Sequence, residues 1–318
     1  MNRREMLRTT GALATAAGLS AFPFGWTPAQ DGKKKKLLMF TRSQGFQHDV
    51  VNRDKAGKEY EKGKTRLGTP GQLAHAEQIV TDLGSKHGFE VNCTKDGRIF
   101  VPEEIAKYDA FFFYTTGVLT NEKAADGSPP MPMEGKQAFL NAIASGKGFI
   151  GTHCASDTFH SPMSGDRKKN TPPEQIDTYI KMLGGEFITH GAQQKAWMRV
   201  TDPAFPGVKD IKDYQMFEEW YDLKNFAPNL HVILAQDGEG MKEDYYHRPL
   251  FPATWARQHE KGRVFYTSMG HREDVWTNPT FQDVLLGGLA WILHNVDADV
   301  TPNMEKVTPK ASELTSAA

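Results

Sequence analysis

The sequence has very little cysteine, since Cys93 and Cys154 are the only two among its 318 residues. This count excludes the small disulfide-stapled folds, which need several bridges because their cores are small. Both cysteines lie near the ends of predicted strands in different units. We therefore expect two separate thiols rather than one disulfide.

The sequence also lacks an excess of positive charge and a glycine-rich nucleotide fingerprint. Lys and Arg number 38 against 39 Asp and Glu, which gives a formal net charge of −1. The only basic run, Lys33 to Lys36, precedes the first predicted strand and is interpreted as a solvated lead-in. We therefore expect neither a nucleic acid partner nor a nucleotide cofactor.

The amino-terminal apolar run, Thr9 to Phe22, is shorter than the roughly 20 residues that a membrane-spanning helix needs. It follows Arg3 and Arg4, and small residues stand before a possible cut after Ala29. Residues 1–29 therefore predict a twin-arginine export signal, a periplasmic or other extracytoplasmic location, and no stable membrane span after cleavage. The alternative is an uncleaved anchor.

Strand and helix patterns alternate through residues 30–295, which predicts one α/β domain with a mostly parallel sheet covered by helices on both faces. The predicted strands include 37–41, 89–93, 108–114, 148–151 and 263–267, and the predicted helices include 72–83, 136–144, 176–183 and 281–293. Three long polar loops, 53–71, 121–135 and 161–174, are expected to rim one edge of the sheet. The tail, 296–318, is rich in Pro, Thr, Ser, Lys and Ala and is expected to be loosely ordered.

Four histidines follow or end predicted strands: His48, His153, His190 and His271. Ligands bind at the carboxyl ends of the strands in open α/β sheets, so we expect these imidazoles to converge there. Imidazole serves general acid/base catalysis as well as metal ligation, and the sequence does not choose between them. A divalent metal bound by these four histidines is possible, although the close ligand pair of a His-Glu-x-x-His motif is missing.

Two carboxylates accompany the histidines. Asp157 lies four residues after His153, and Glu219 begins a stretch that contains Trp220 and Tyr221. A carboxylate beside large aromatic side chains is typical of surfaces that grip a sugar, and Trp276 is a further candidate for stacking on it. The alternative for these aromatic residues is a structural strand.

Cys154 is a candidate nucleophile because it follows a strand, where elbows of the form Gly-x-nucleophile-x-Gly expose reactive side chains. The register argues against it, because His153 occupies the central position and Ala155 replaces the second glycine. A small thiol buried under the sheet is the better interpretation.

Taken together, several blocks resemble the ThuA-like, or trehalose-utilisation, family. The blocks are Gly148–His153 (GFIGTH), Leu183–His190 (LGGEFITH), Glu218–Tyr221 (EEWY), Pro252–Trp255 (PATW) and Gly262–His271 (GRVFYTSMGH). The resemblance spans about Leu37 to Leu293. It implies a flavodoxin-like fold similar to class I glutamine amidotransferases, and a role in the catabolism of trehalose-like or 3-keto disaccharides. It also implies that the amidotransferase cysteine chemistry is not retained, although Gly270-His271-x-Glu273 resembles the histidine and glutamate block of that superfamily.

The leading hypothesis is an exported hydrolase, lyase or isomerase acting on a small saccharide. His153 and His271 are its expected acid/base pair and Glu219 or Asp157 assists, while His48, His190, Trp220, Tyr221 and Trp276 bind substrate. The alternatives are a non-catalytic sugar-binding or accessory protein and a cysteine amidohydrolase acting through Cys154.

Overall fold

The fold is given by a computed structural model that describes residues 33–61, 64–65, 72–163, 165–166 and 168–315. The predicted export signal, 1–29, lies outside these residues. No helix in the described part of the chain is long and apolar enough to cross a membrane.

The described residues form the following elements. The strands are β1 (Lys36–Phe40), β2 (Glu59–Glu61), β3 (Lys64–Thr65), β4 (Glu90–Thr94), β5 (Ala110–Phe113), β6 (Gly148–Thr152), β7 (Glu186–His190), β8 (Gln194–Val200), β9 (Tyr214–Glu218), β10 (Tyr221–Lys224), β11 (His231–Asp237), β12 (Phe251–His259) and β13 (Gly262–Thr267). The helices are α1 (His75–His87), α2 (Pro102–Ile105), α3 (Met133–Ala144), α4 (Thr178–Leu183), α5 (Glu273–Trp276), α6 (Pro279–Ile292) and α7 (Met304–Val307).

A nine-stranded sheet forms the centre of the fold, in the order β4-β1-β5-β6-β13-β12-β11-β8-β9. The first five of these strands are parallel, and their order is the 2-1-3-4-5 order of flavodoxin-like folds. The remaining four are antiparallel. The predicted α/β, flavodoxin-like class is confirmed, and four antiparallel strands extend the parallel sheet at one edge.

The inner parallel strands β1 and β5 read as nearly continuous apolar runs because both faces of the sheet are covered there, whereas the edge strand β4 is polar and partly exposed. In β1, Leu37 and Met39 enter the core beneath α1 and α6, whereas Leu38 and Phe40 enter the core beneath α3 and α4. Successive side chains of a strand point to opposite faces of the sheet, so this one strand contributes to the cores on both faces.

Helix boundaries follow ordinary capping rules. The side chain of Asp177 accepts a hydrogen bond from the backbone of Tyr179 at the start of α4. The helix ends at Gly184, whose φ of 95° is left-handed and whose N–H donates to the carbonyl of Ile180. Glycine is the usual residue at this position because it adopts a left-handed backbone without strain.

The described part of the tail differs from the expected loose order. Asn303 exchanges hydrogen bonds with the backbone of Val232, at 2.6 and 3.0 Å, and thereby fastens the segment to β11. Ala311 is buried in the core beneath α3 and α4. These contacts depend on single residues, so the composition of the tail did not indicate them.

Candidate functional site

His48 reaches the carboxyl edge of the sheet through a firmly held loop after β1. The buried guanidinium of Arg42 donates to the carbonyls of Leu119 and Asn121, at 3.0 and 2.7 Å. The hydroxyl of Thr116 donates to the carbonyl of Phe46 at 2.9 Å. His48 is buried beyond this loop and lies against the ring of Tyr114, which follows β5.

His153 follows β6 directly and opens a short 3-10 helix, His153–Asp157. Its φ of 44° is left-handed, which is uncommon for a residue other than glycine and is often found at functional sites. Its Nδ1 lies 3.0 Å from the carbonyl oxygen of Ser268. Because a carbonyl oxygen only accepts, Nδ1 carries the hydrogen, and the neutral ring keeps a lone pair on Nε2.

His271 follows β13 through Gly270, whose φ of 121° favours glycine. The carbonyl of Gly270 accepts hydrogen bonds from Tyr114 Oη at 3.0 Å and from Trp276 Nε1 at 2.7 Å. The N–H of His271 donates to the buried carboxyl group of Glu218 at 2.5 Å. This turn is therefore held by three separate side chains.

Glu219 lies between β9 and β10, on the antiparallel side of the sheet. Its Oε2 lies 3.1 Å from Nδ1 of His271 and 3.5 Å from Nε2 of His153. Its Oε1 lies 3.3 Å from Nδ1 of His190, at the end of β7. One carboxylate thus faces two inner imidazoles and one outer imidazole.

His48, His153 and His271 form a compact triangle over this carboxylate. The three ring centroids are 5.1 to 5.2 Å apart, and one ligand atom from each of these residues and from Glu219 fits within a mutual distance of 4.8 Å. Nδ1 of His48, Nε2 of His153 and Nδ1 of His271 are buried, and none has a properly aligned hydrogen-bond partner among the described residues. Three such nitrogens facing one carboxylate could hold a metal ion.

Burial sets the electrostatics of this cluster. It lowers the pKa of His48 well below the usual value, and the neighbouring His153 and His271 lower it further. Burial also lowers the pKa of His153, with Glu219 opposing and His271 adding to the shift. Burial acts to raise the pKa of Glu219, but the side chains of His153 and His271 outweigh it and hold this pKa well below the usual range. The favoured state is therefore neutral imidazoles at His48 and His153 beside an ionised carboxylate.

Two other predicted site residues lie outside the four-residue cluster. Asp157 pairs with Nε2 of His160 at 2.7 Å. His190 has a side chain that is 43% exposed, and its Nδ1 lies 3.1 Å from the carbonyl oxygen of Gly191. His190 therefore stands at the rim of the cluster.

The aromatic residues predicted to bind a sugar are buried, which corrects that expectation. Trp220 and Trp276 are completely buried, and their Nε1 atoms donate to backbone carbonyls, including that of Gln194 for Trp220. Tyr221 is also buried, with its ring centroid 4.0 Å from that of His153. Their faces are occupied by protein, so these residues support the cluster instead of stacking on a ligand.

Cys154 packs in the core beneath α1 and α6. Burial raises the pKa of its thiol well above the usual value, and Asp157 adds to the shift. A nucleophilic cysteine needs the opposite change, so the geometry favours the buried-thiol interpretation. Cys93 and Cys154 are both free, as predicted.

Two residues that the sequence analysis passed over belong to the site. Phe46 is 67% exposed beside His48, with ring centroids 5.0 Å apart and planes at 87°. Glu218 was noted only as a neighbour of Glu219, but its carboxyl group holds the backbone of His271. The position of Phe46 two residues before His48 was the only available signal for it.

Comparisons with known proteins agree with this geometry. The sequence profile of the ThuA family, described as trehalose utilisation, matches residues 36–292. Among curated proteins, none is similar enough to count as a match.

Two solved structures share the fold at low sequence identity. A ThuA-like protein from Bacteroides uniformis is 17% identical with a TM-score of 0.55, and the match covers 81% of this chain and 91% of that one. A ThuA-like protein from Parabacteroides merdae is 16% identical with a TM-score of 0.53, and the match covers 89% and 97% of the two chains.

Proposed function

Since this chain belongs to the ThuA, or trehalose utilisation, family, we propose that it is an enzyme acting on a saccharide at a divalent metal centre. The proposed ligands are His48, His153, His271 and Glu219. One observation carries the proposal, namely that three buried imidazole nitrogens without aligned hydrogen-bond partners in the described chain surround one carboxylate.

Two of the distances between the proposed ligand atoms match those around such an ion. A tetrahedral centre with bonds of about 2.0 to 2.2 Å holds its ligand atoms about 3.3 to 3.6 Å apart. The carboxylate oxygen of Glu219 lies 3.1 and 3.5 Å from its two imidazole nitrogens. Imidazole and carboxylate ligands suit zinc and iron, and manganese is a further candidate.

The surroundings also resemble those of a ligand set. Metal-ligating histidines usually donate their other N–H to a backbone carbonyl or a carboxylate, which orients the ring. His153 does so with the carbonyl of Ser268 at 3.0 Å. Glu218 holds the backbone of His271, and His190 contacts the outer oxygen of Glu219.

This proposal changes the roles expected for two histidines. His153 and His271 become ligands rather than the acid/base pair, because their free nitrogens point at a shared centre. His190 becomes the general base, since its Nδ1–H is directed at the carbonyl of Gly191 and Nε2 retains its lone pair.

The proposed reaction is proton transfer beside a sugar carbonyl. A bound divalent ion polarises carbonyl and hydroxyl oxygens of a sugar. In a 3-keto glycoside, His190 would take the proton from C2, and the electron pair of that C–H bond would move toward the carbonyl oxygen. Return of the proton to the opposite face of C2, as the electron pair moves back from the carbonyl oxygen to C2, gives the C2 epimer. Alternatively, a C1–C2 double bond forms while the C1–O bond breaks, and the leaving oxygen takes up a proton.

The test uses the purified protein with the metal content that it carries on isolation. The protein is incubated with trehalose and with 3-keto-trehalose, with and without a chelator, and the products are identified by mass spectrometry. We expect conversion of the keto sugar that stops on chelation and returns with added metal. Binding without conversion would favour the sugar-binding alternative, and conversion that is indifferent to chelation would refute the metal centre.

We also propose export by the twin-arginine route, which rests on Arg3, Arg4 and the small residues before Ala29.

A further inference from the structure

A cavity opens beside the proposed metal centre and shares one of its residues. It has a volume of about 270 Å³ and is lined by Phe46, Asp49, Gln193, His271, Arg272 and Glu273. His271 belongs to both the cavity and the four-residue cluster. A ligand that fills the cavity therefore lies next to the proposed ligands.

The lining combines one exposed aromatic ring with planar polar groups. Phe46 is 67% exposed, so much of its apolar ring is in contact with water. A ligand that covers the ring would remove this surface from water, which is favourable. The backbone carbonyl of Phe46 accepts a hydrogen bond from the hydroxyl of Thr116, so the loop that presents the ring is held in place. The guanidinium of Arg272 donates to Oε1 of Gln193 at 2.6 Å and to both carboxylate oxygens of Asp274 at 2.8 and 3.0 Å, which fixes these planar groups at the cavity wall. With the carboxylate of Asp49 they give the cavity a polar wall, in addition to the apolar ring of Phe46.

This combination is the one that a sugar ring requires. A pyranose presents an apolar C–H face, which packs on an aromatic ring, and a rim of hydroxyl groups, which donate and accept hydrogen bonds. The volume suits one sugar ring rather than a chain of them. Trp220 and Trp276, which the sequence predicted would stack on a sugar, are buried. Phe46 is an exposed aromatic residue that can do so in their place.

We propose that this cavity binds the non-reacting ring of a disaccharide, with Phe46 as its stacking platform. The proposal rests on the proposed function, which places the reacting ring at the adjacent metal centre. Phe46 stands perpendicular to the ring of His48 at a centroid distance of 5.0 Å, so a ring stacked on Phe46 lies within one sugar unit of that centre. Phe46 is then a specificity-determining residue, not a catalytic one.

The test compares Phe46→Ala, Phe46→Trp and Met133→Ala in the full chain. Met133 is 74% exposed on α3 and outside the cavity, so its truncation is a matched loss of exposed apolar surface. Affinities for trehalose, 3-keto-trehalose and glucose are measured by titration calorimetry, and thermal unfolding confirms that each variant is folded. We expect Phe46→Ala to weaken disaccharide binding about 5- to 30-fold, since stacking on an aromatic face contributes on the order of 1 to 2 kcal/mol.

The expected pattern has three further parts. Phe46→Trp retains disaccharide affinity within about threefold, Met133→Ala leaves it unchanged, and glucose binding responds less to Phe46→Ala than disaccharide binding does. If the wild-type protein binds a disaccharide and Phe46→Ala binds it equally well, the cavity proposal is refuted while the proposed function stands. If the wild-type protein binds none of the three sugars, the proposed function itself fails.

Discussion

The proposed metal centre predicts a thermal response that can be measured without knowing the substrate. A ligand that binds only the folded state stabilises it by about 2.7 kcal/mol when present at 100 times its Kd. Unfolding entropy near 2.1 cal/mol/K per residue, taken over the 273 residues that the structure describes, amounts to about 0.6 kcal/mol/K. Metal added to the chelator-treated protein should therefore raise Tm by about 4 to 5 °C at that concentration.

The substitution His153→Asn should abolish most of this metal-induced rise in Tm. Asparagine tolerates the left-handed backbone at this position better than most residues, so the substitution removes the imidazole with little added strain. Loss of an orienting partner alone costs 10- to 100-fold in metal affinity, and loss of a ligand should cost at least 100-fold. At the same metal concentration the stabilisation then falls to about 0.4 kcal/mol, and the shift in Tm falls below about 1 °C.

Differential scanning calorimetry with zinc, manganese, cobalt and nickel measures these shifts, and His271→Ala provides a second ligand variant. His247→Ala is the control, since His247 is an exposed imidazole outside the cluster and its variant should respond as the wild type does. The reasoning is refuted if no metal shifts the wild-type Tm, or if His153→Asn shifts by as much as the wild type.

Three further predictions concern catalysis and export. His190→Asn should lower kcat on a converted keto sugar by about 10² to 10⁴ while the thermal response to saturating metal persists, because His190 is not one of the proposed ligands and contacts Glu219 through its outer oxygen. An unchanged kcat would exclude His190 as the base. Cys154→Ala should leave activity within about tenfold of the wild type, and a collapse of activity in a folded variant would restore the cysteine hydrolase. Replacement of Arg3 and Arg4 by lysine should retain the protein in the cytoplasm, as judged by cell fractionation, and unaltered export would contradict the signal assignment.

The parallel half of the fold was predictable because its inner strands β1, β5 and β6 are short runs of apolar and small residues buried on both faces. The predicted strand 148–151 became Gly148–Thr152, and the predicted helix 281–293 became Pro279–Ile292. The convergence of His48, His153 and His271 followed from the rule that the carboxyl ends of parallel strands share one edge. Topology alone therefore located most of the site.

The contribution of the antiparallel half was harder to predict. Glu219 enters the cluster because β9 ends the large sheet and β10 pairs with β7 in a separate small sheet. Such pairings depend on register between distant strands, which periodicity does not reveal. The solvent exposure of the aromatic side chains could not be predicted from the sequence either. Phe46 and Trp276 are both aromatic residues near polar groups, and only the packing of the folded chain leaves the first exposed and buries the second.

The way in which the four proposed ligands are distributed has a consequence for biosynthesis. His48 follows the first strand of the fold and His271 follows the last, so a ribosome-bound chain that still lacks β13 cannot offer the complete set. All four residues can therefore bind the ion only after β13 has joined the sheet. If the proposed twin-arginine route carries this protein in its folded state, the ion would therefore be acquired in the cytoplasm, before export.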